Sequence, residues 1–182
     1  VPPEYTAIAM PFVGRALTEV METYPHLAMF GFMVRYVPVG RVRRGPGGRA
    51  VITYQMAKSD LAKMKKGMRI LAEVFFEAGA ERIFLPIAGI EEQGSFEAAR
   101  TALEAPMDPM SLELAAFHPM GTARMSVNRR SGVVDPDLES WEIPGLYVVD
   151  ASVFPTALGV NPQLTVMAYA TRAAERIAAR VS

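Results

Sequence analysis

The chain has 182 residues, 51% of them hydrophobic, and nineteen basic side chains balance nineteen acidic ones. That is enough for a buried core in one large domain or two small lobes, and it leaves no net positive field for a phosphate backbone, so nucleic acid is not an expected partner. The absence of cysteine excludes disulfides and thiolate chemistry, and two histidines far apart in sequence make a poor metal kit, so no metal site is expected.

Between Phe12 and Tyr24, Val13, Ala16, Leu17, Val20 and Met21 recur at helical spacing, and Pro25 ends the run. The segments "AMFGFMVRYVPV" (28–39) and "RAVITYQM" (49–56) are rich in aromatic and branched residues. They predict two or three antiparallel strands joined by a loop around Gly45 to Gly48. A long helix follows, capped by Ser59 or Asp60, carrying Leu61, Met64, Ile70, Leu71, Val74 and Phe75, and closed at Gly79. Next come a strand at "ERIFLPI", a short helix over Phe96 to Leu103, and a stretch from 105 to 145 dominated by turn formers. "GLYVVDAS" predicts a buried strand, and Gln163 to Val181 a final helix. The fold class expected is α+β, an antiparallel sheet flanked by helices with a strand and helix at the C-terminus. No apolar run reaches the roughly 20 residues that span a bilayer. The start "VPPEYTAIAM" lacks the features of a secretion signal, so a cytoplasmic location, or one peripheral to a membrane, is expected. A chain beginning at Val1 also fits a processed or truncated polypeptide.

Several features invite chemistry and have a plainer reading. "GPGGRA" (45–50) matches G-x-G-x-x-A, but "VITYQM" follows it with a strand pattern rather than a helix, so a turn between antiparallel strands is the better account. Arg41, Arg43, Arg44 and Arg49 crowd the same loop, where a solvated basic surface is commoner than a phosphate site. His26 in "YPHL" reads as a turn residue. Glu91 and Glu92 are sequence neighbours and so share no face in a regular element, which argues against an acid and base pair. The twelve methionines suit irregular core packing.

His118, in "AAFHPMGTARM", sits in a stiffer setting. Pro119 drives the residue before it out of helical geometry, and Gly121 and Thr122 permit a tight turn. The loop alone admits two roles, a hydrogen-bonded structural histidine or a displayed reactive one. In the last helix, Asn161 is the expected N-cap, Pro162 the first helical residue, and Arg172, Arg176 and Arg180 lie toward the C-terminal end. Its positive pole would therefore lie at Asn161, ready for a group that is or becomes anionic. Asp150, Ala151 and Ser152 end the strand just upstream.

Taken in order, "HPMGTARM", "GVVDP" and "GLYVVDASVFPTALGVNP" with the closing helix resemble the C-terminal signature of the glucose-methanol-choline (GMC) oxidoreductases. Within that family "SWEIPGLYVVDASVFPTALGVNP" looks most like the long-chain fatty alcohol oxidase and dehydrogenase branch. More loosely, "ITYQMAKSD" and "GMRILAEVFFEAGAERI" are similar to the family's substrate-binding region.

The resemblance implies FAD-dependent oxidation of an alcohol by hydride transfer to flavin N5. It puts His118 on the position of the active-site base and Asn161 on the second active-site position. It also puts Asp150 and Ala151 in the stretch that meets the ribityl chain and diphosphate, and Asn161, Pro162 and Gln163 on the turn beneath the flavin. Residues 1–117 would then be a substrate-binding lobe. Residues 118–182 would be the active-site loop and the segment that completes an FAD-binding α/β domain. The family's N-terminal G-x-G-x-x-G turn has no counterpart here. The chain thus reads as a C-terminal fragment that alone binds FAD weakly or not at all and associates with itself over exposed apolar surface. Its expected partners are an apolar alcohol and the missing N-terminal FAD-binding region. Two other functions stay open at this point, a non-catalytic ligand-binding or assembly module and a hydroxynitrile lyase-like enzyme.

Overall fold

In the computed structural model, residues 2–37 and 39–181 are described. They divide into two units, one of Val1–Val34 with Lys58–Ala115, the other of Arg35–Ala57 with Ala116–Ser182.

The first unit opens with α1 (Pro3–Ala9), which the periodicity had not signalled; Pro3 occupies a first-turn position where its missing N–H costs nothing. The next helix, α2 (Gly14–Glu22), is shorter than the Phe12–Tyr24 run. It closes where Thr23 donates both its N–H and its hydroxyl to the Val20 carbonyl. Pro25 and His26 fall in a 3-10 turn, Tyr24–His26, in keeping with the turn expected for His26.

In α3 (Lys58–Glu77) Asp60 lies in the first turn, buried, with Lys63 Nζ 2.8 Å from its carboxylate. Gly79 ends the helix as expected, at φ +91°. Its N–H donates to the Phe76 carbonyl at 3.0 Å and that of Ala80 to the Phe75 carbonyl at 2.9 Å, the paired bonds of a left-handed glycine stop. The "ERIFLPI" strand is realised as β3 (Ile83–Phe84), antiparallel to β4 (Glu92–Gln93) in the register Ile83↔Gln93 and Phe84↔Glu92. Then α4 (Phe96–Glu104) is capped by Ser95, whose Oγ accepts from the Ala98 N–H, and it packs on α3. Met68, Ala72, Leu85, Ile87, Ala99 and Leu103 are among the buried apolar residues here.

The segment 28–39 does not form the predicted strand. Pro38 lies outside the described residues, and 28–37 carry no ladder even though exposure alternates from Gly31 to Val37. The aromatic side chains go to a helix instead. Phe30 meets Phe75 edge to face at 5.5 Å, and the Phe32 ring fills the space a Cβ on Gly67 would take, 2.3 Å from that point. Contact with α3 thus competes with strand pairing for the same residues.

The second unit holds the hairpin, one step later than predicted, with β1 (Arg41–Arg44) antiparallel to β2 (Ala50–Thr53). The "GPGGRA" glycines serve its turn. Gly47 and Gly48 sit at φ +68° and +77°, and the Gly45 N–H donates to the Arg49 carbonyl at 2.8 Å. The one antiparallel sheet of the sequence reading is therefore two separate two-stranded sheets among the described residues, within a mixed helix and sheet fold.

"GLYVVDAS" is likewise no regular strand. It makes a bridge between Glu139 and Tyr147 and a bond from the Val148 N–H to the Leu138 carbonyl. It then turns into a 3-10 turn, Ala151–Val153, because Asp150 accepts from the Ser152 N–H at 2.7 Å. The core here is Val134, Leu138, Val153, Phe154 and Ala173, with Met120, Met125, Val166 and Tyr169 packed against it. Ala173, Val166 and Tyr169 belong to α5 (Gln163–Val181). No helix among the described residues is long and apolar enough to cross a membrane.

Candidate active-site segment

The loop bearing His118 is anchored along its backbone. Gly121 takes φ +84° and lies so close to residues 154 and 155 that a Cβ there would stand 3.4 Å from the Phe154 carbonyl oxygen. Beyond it, the Ala123 N–H donates to the Ser152 carbonyl at 3.1 Å and the Met125 N–H to the Val153 carbonyl at 2.7 Å. On the other side, the Val133 N–H donates to the Arg124 carbonyl at 2.9 Å and that of Ser126 to the Val134 carbonyl at 3.0 Å. Residues 123–126 thus form a rib between 133–134 and 152–153, and Met120 and Met125 seat it on the core. "HPMGTARM", "GVVDP" and "VVDASVFP" are in this way joined in one unit by backbone bonds. His118 itself is exposed, upstream of the rib and of the Gly121 turn.

Asp150 lies just before the Ser152–Val153 segment that the rib bonds, its side chain capping the turn that begins at Ala151. Asn161 is displaced from the role the sequence suggested. Because α5 begins at Gln163 and the Pro162 carbonyl accepts from the Val166 N–H at 2.8 Å, Pro162 stands at the cap and Asn161 precedes it. Pro162 is buried, whereas Asn161 and Gln163 are exposed. Among the described residues no side-chain hydrogen bond is found for His118 or Asn161, and none joins the two. The N–H groups of Gln163, Leu164 and Thr165 precede the first intrahelical bond, which leaves the positive end of α5 without internal acceptors.

One feature escaped the sequence reading. Arg172, Arg176 and Arg180, one turn apart on α5, all reach Asp137, with Arg172 Nη2 at 3.3 Å and Arg180 Nη2 at 3.7 Å. Arg180 also bonds Glu139 and the Tyr147 hydroxyl. Asp135 orders the segment by accepting from the N–H groups of Asp137 and Glu139 at 2.8 and 3.0 Å. The Glu139 carboxyl is held below the usual carboxylate range, first by the Gly145 N–H and then by Arg180. The spacing of three arginines at i, i+4, i+8 opposite the acid-rich "DPDLE" was the available signal.

Elsewhere, Glu91 and Glu92 have separate partners, the Gly89 N–H and Arg82. No cluster that could hold a metal is present among the described residues.

Residues 39–170 match the family model described as GMC oxidoreductase. An uncharacterised GMC-type oxidoreductase of Mycobacterium tuberculosis is 33% identical over 180 residues, which is 99% of this chain and 28% of that protein. The long-chain-alcohol oxidase FAO1 of Arabidopsis thaliana is 30% identical over 190 residues, 97% of this chain and 24% of that protein. Among solved structures, pyridoxine 4-oxidase from Mesorbium loti aligns with a TM-score of 0.47 at 20% identity, covering 78% of this chain and 28% of that one. The chain spans about a quarter of the length of the curated relatives it matches. With the family match running through both the rib and the start of α5, the chain belongs to the GMC oxidoreductases.

Proposed function

We propose that this chain is the C-terminal part of an FAD-dependent enzyme that oxidises a primary, apolar alcohol to the aldehyde. Residues 1–117 form its substrate lobe, and 118–182 its active-site loop and the segment completing the FAD-binding domain. His118 is the base and Asn161 the partner of the alcohol oxygen. The observation that carries the reading is the backbone rib, which ties the His118 turn to the Asp150–Phe154 segment within residues 39–170, the stretch of the family match. The similarity to long-chain-alcohol oxidases supports an apolar substrate.

The family is generally FAD-dependent, and the donor set here fits that group. The Asn161 amide and the first-turn N–H groups of α5 are all donors, suited to the electron-rich edge of a flavin. Asp150 and Ala151, with Asn161, Pro162 and Gln163, would hold it. When bound, FAD supplies the hydride acceptor. His118 accepts the hydroxyl proton of the alcohol at an imidazole nitrogen, histidine being the side chain most often used as a general base. Asn161 donates from its amide to the alcohol oxygen as negative charge gathers there. The positive end of α5 favours anionic character nearby without having to reorient.

The test is anaerobic mixing of the complete protein with primary alcohols of increasing chain length while flavin absorbance is followed. Bleaching by the longer alcohols is expected. Cleavage of a cyanohydrin without bleaching by any alcohol would establish the lyase reading instead.

A further inference from the structure

Between Glu22 and Asp60 the chain has no carboxylate, although Arg35, Arg41, Arg43, Arg44, Arg49 and Lys58 all lie there. In a chain of zero net charge this concentrates cations on one element. Four of the six are in or beside the β1–β2 hairpin, and every strand residue of that hairpin is exposed. Cations elsewhere commonly find carboxylates, as Arg82 does with Glu92, Arg100 with Glu97 and Glu104, and the α5 arginines with Asp137 and Glu139. Among the described residues none of Arg41, Arg43, Arg44 and Arg49 is in an ion pair.

Exposed apolar side chains lie among these cations. The register sets Val42 opposite Ile52 on one face, which they share with Arg44, while Arg41 and Arg43 fall on the other, opposite Thr53 and Val51. Ile52 is 73% exposed and Val42 50%. An isolated two-stranded sheet gains little stability in water, and branched apolar side chains left in solvent on both strands add to its need for a partner.

We propose that the β1–β2 hairpin docks on an anionic phospholipid bilayer. The arginines meet lipid phosphates and carboxylates, and Val42 and Ile52 enter the interfacial layer while the long arginine stems extend back to the headgroups. A nucleic acid duplex would satisfy the arginines and leave the apolar pair in water; a bilayer surface satisfies both. The proposal is independent of the catalytic reading, since it concerns a different element and a binding readout.

It is tested by cosedimentation of the complete protein with vesicles of phosphatidylcholine alone and of phosphatidylcholine doped with phosphatidylserine. Binding to the doped vesicles only, weakening as salt is raised, is expected. Arg43→Glu with Arg44→Glu lowers that partitioning by roughly an order of magnitude or more. The same reversal at Arg129 and Arg130, in another exposed loop, leaves it unchanged. Should the double reversal unfold the protein, Arg49→Gln serves in its place and lowers partitioning about fivefold. Equal sedimentation with both vesicle types, wild-type binding by the hairpin variants, or capture by duplex DNA in preference to the doped vesicles overturns it.

Discussion

Replacing Gly121 by alanine isolates the turn that presents His118. The glycine sits at φ +84°, and a residue with a Cβ pays about 1–2 kcal/mol to occupy the left-handed region. Space adds little to this, because the new Cβ would lie 3.4 Å from the Phe154 carbonyl oxygen, an ordinary contact. The whole cost is therefore conformational, and it falls on the rib immediately downstream. A cost of that size raises the population of the locally opened turn by roughly tenfold. Amide hydrogen exchange at Ala123 and Met125, which donate to the Ser152 and Val153 carbonyls, reads it directly. Both should exchange about tenfold faster in Gly121→Ala. Gly121→Asn should recover much of the protection, since asparagine tolerates the left-handed region better. Unchanged exchange in the alanine variant, or no recovery with asparagine, refutes the reasoning.

Three further outcomes follow from packing and charge. Phe154 is 3% exposed and meets Tyr169 edge to face at 5.3 Å, so Phe154→Ala should lower stability by about 3–5 kcal/mol in urea unfolding. A Cβ on Gly132 would come within 2.6 Å of Ser126 Cβ and 2.9 Å of its backbone nitrogen, so Gly132→Ala should cost about 1–3 kcal/mol by the same assay. The folded-state pKa of Glu139 is depressed, so its contribution to stability is present above the ordinary carboxylate value and is lost as pH falls through the lower folded value. Glu139→Gln should therefore lower the melting temperature at neutral pH, and the gap to wild type should close on acidification.

Much of the architecture was legible where one local rule decided the outcome. Gly79 closes α3, Ser95 caps α4, and the "GPGGRA" glycines make a hairpin turn because a strand pattern follows them. The failures occurred where tertiary contacts competed with pattern. Phe30 and Phe32 carry a strand-like composition, but both contact α3, and Asp150 drew the end of "GLYVVDAS" into a turn by bonding the backbone two residues on. The α5 arginines read as helix-end charges, whereas their partners, Asp137 and Glu139, are more than thirty residues away, a distance periodicity does not reach. For the candidate site, motif order placed His118, Asp150 and Asn161 in one unit. The position of Asn161 before the cap rather than on it turned on a single backbone bond, from Val166 to Pro162.

The most direct measurement is the rate of anaerobic flavin reduction by a long-chain primary alcohol in the complete protein, wild type against His118→Ala, with Asn161→Ala alongside. Loss of a general base should slow reduction by about 10²–10⁴-fold in the His118 variant, and loss of the oxygen's partner should slow it in the Asn161 variant while thermal stability holds. Reduction at the wild-type rate in His118→Ala would contradict the account.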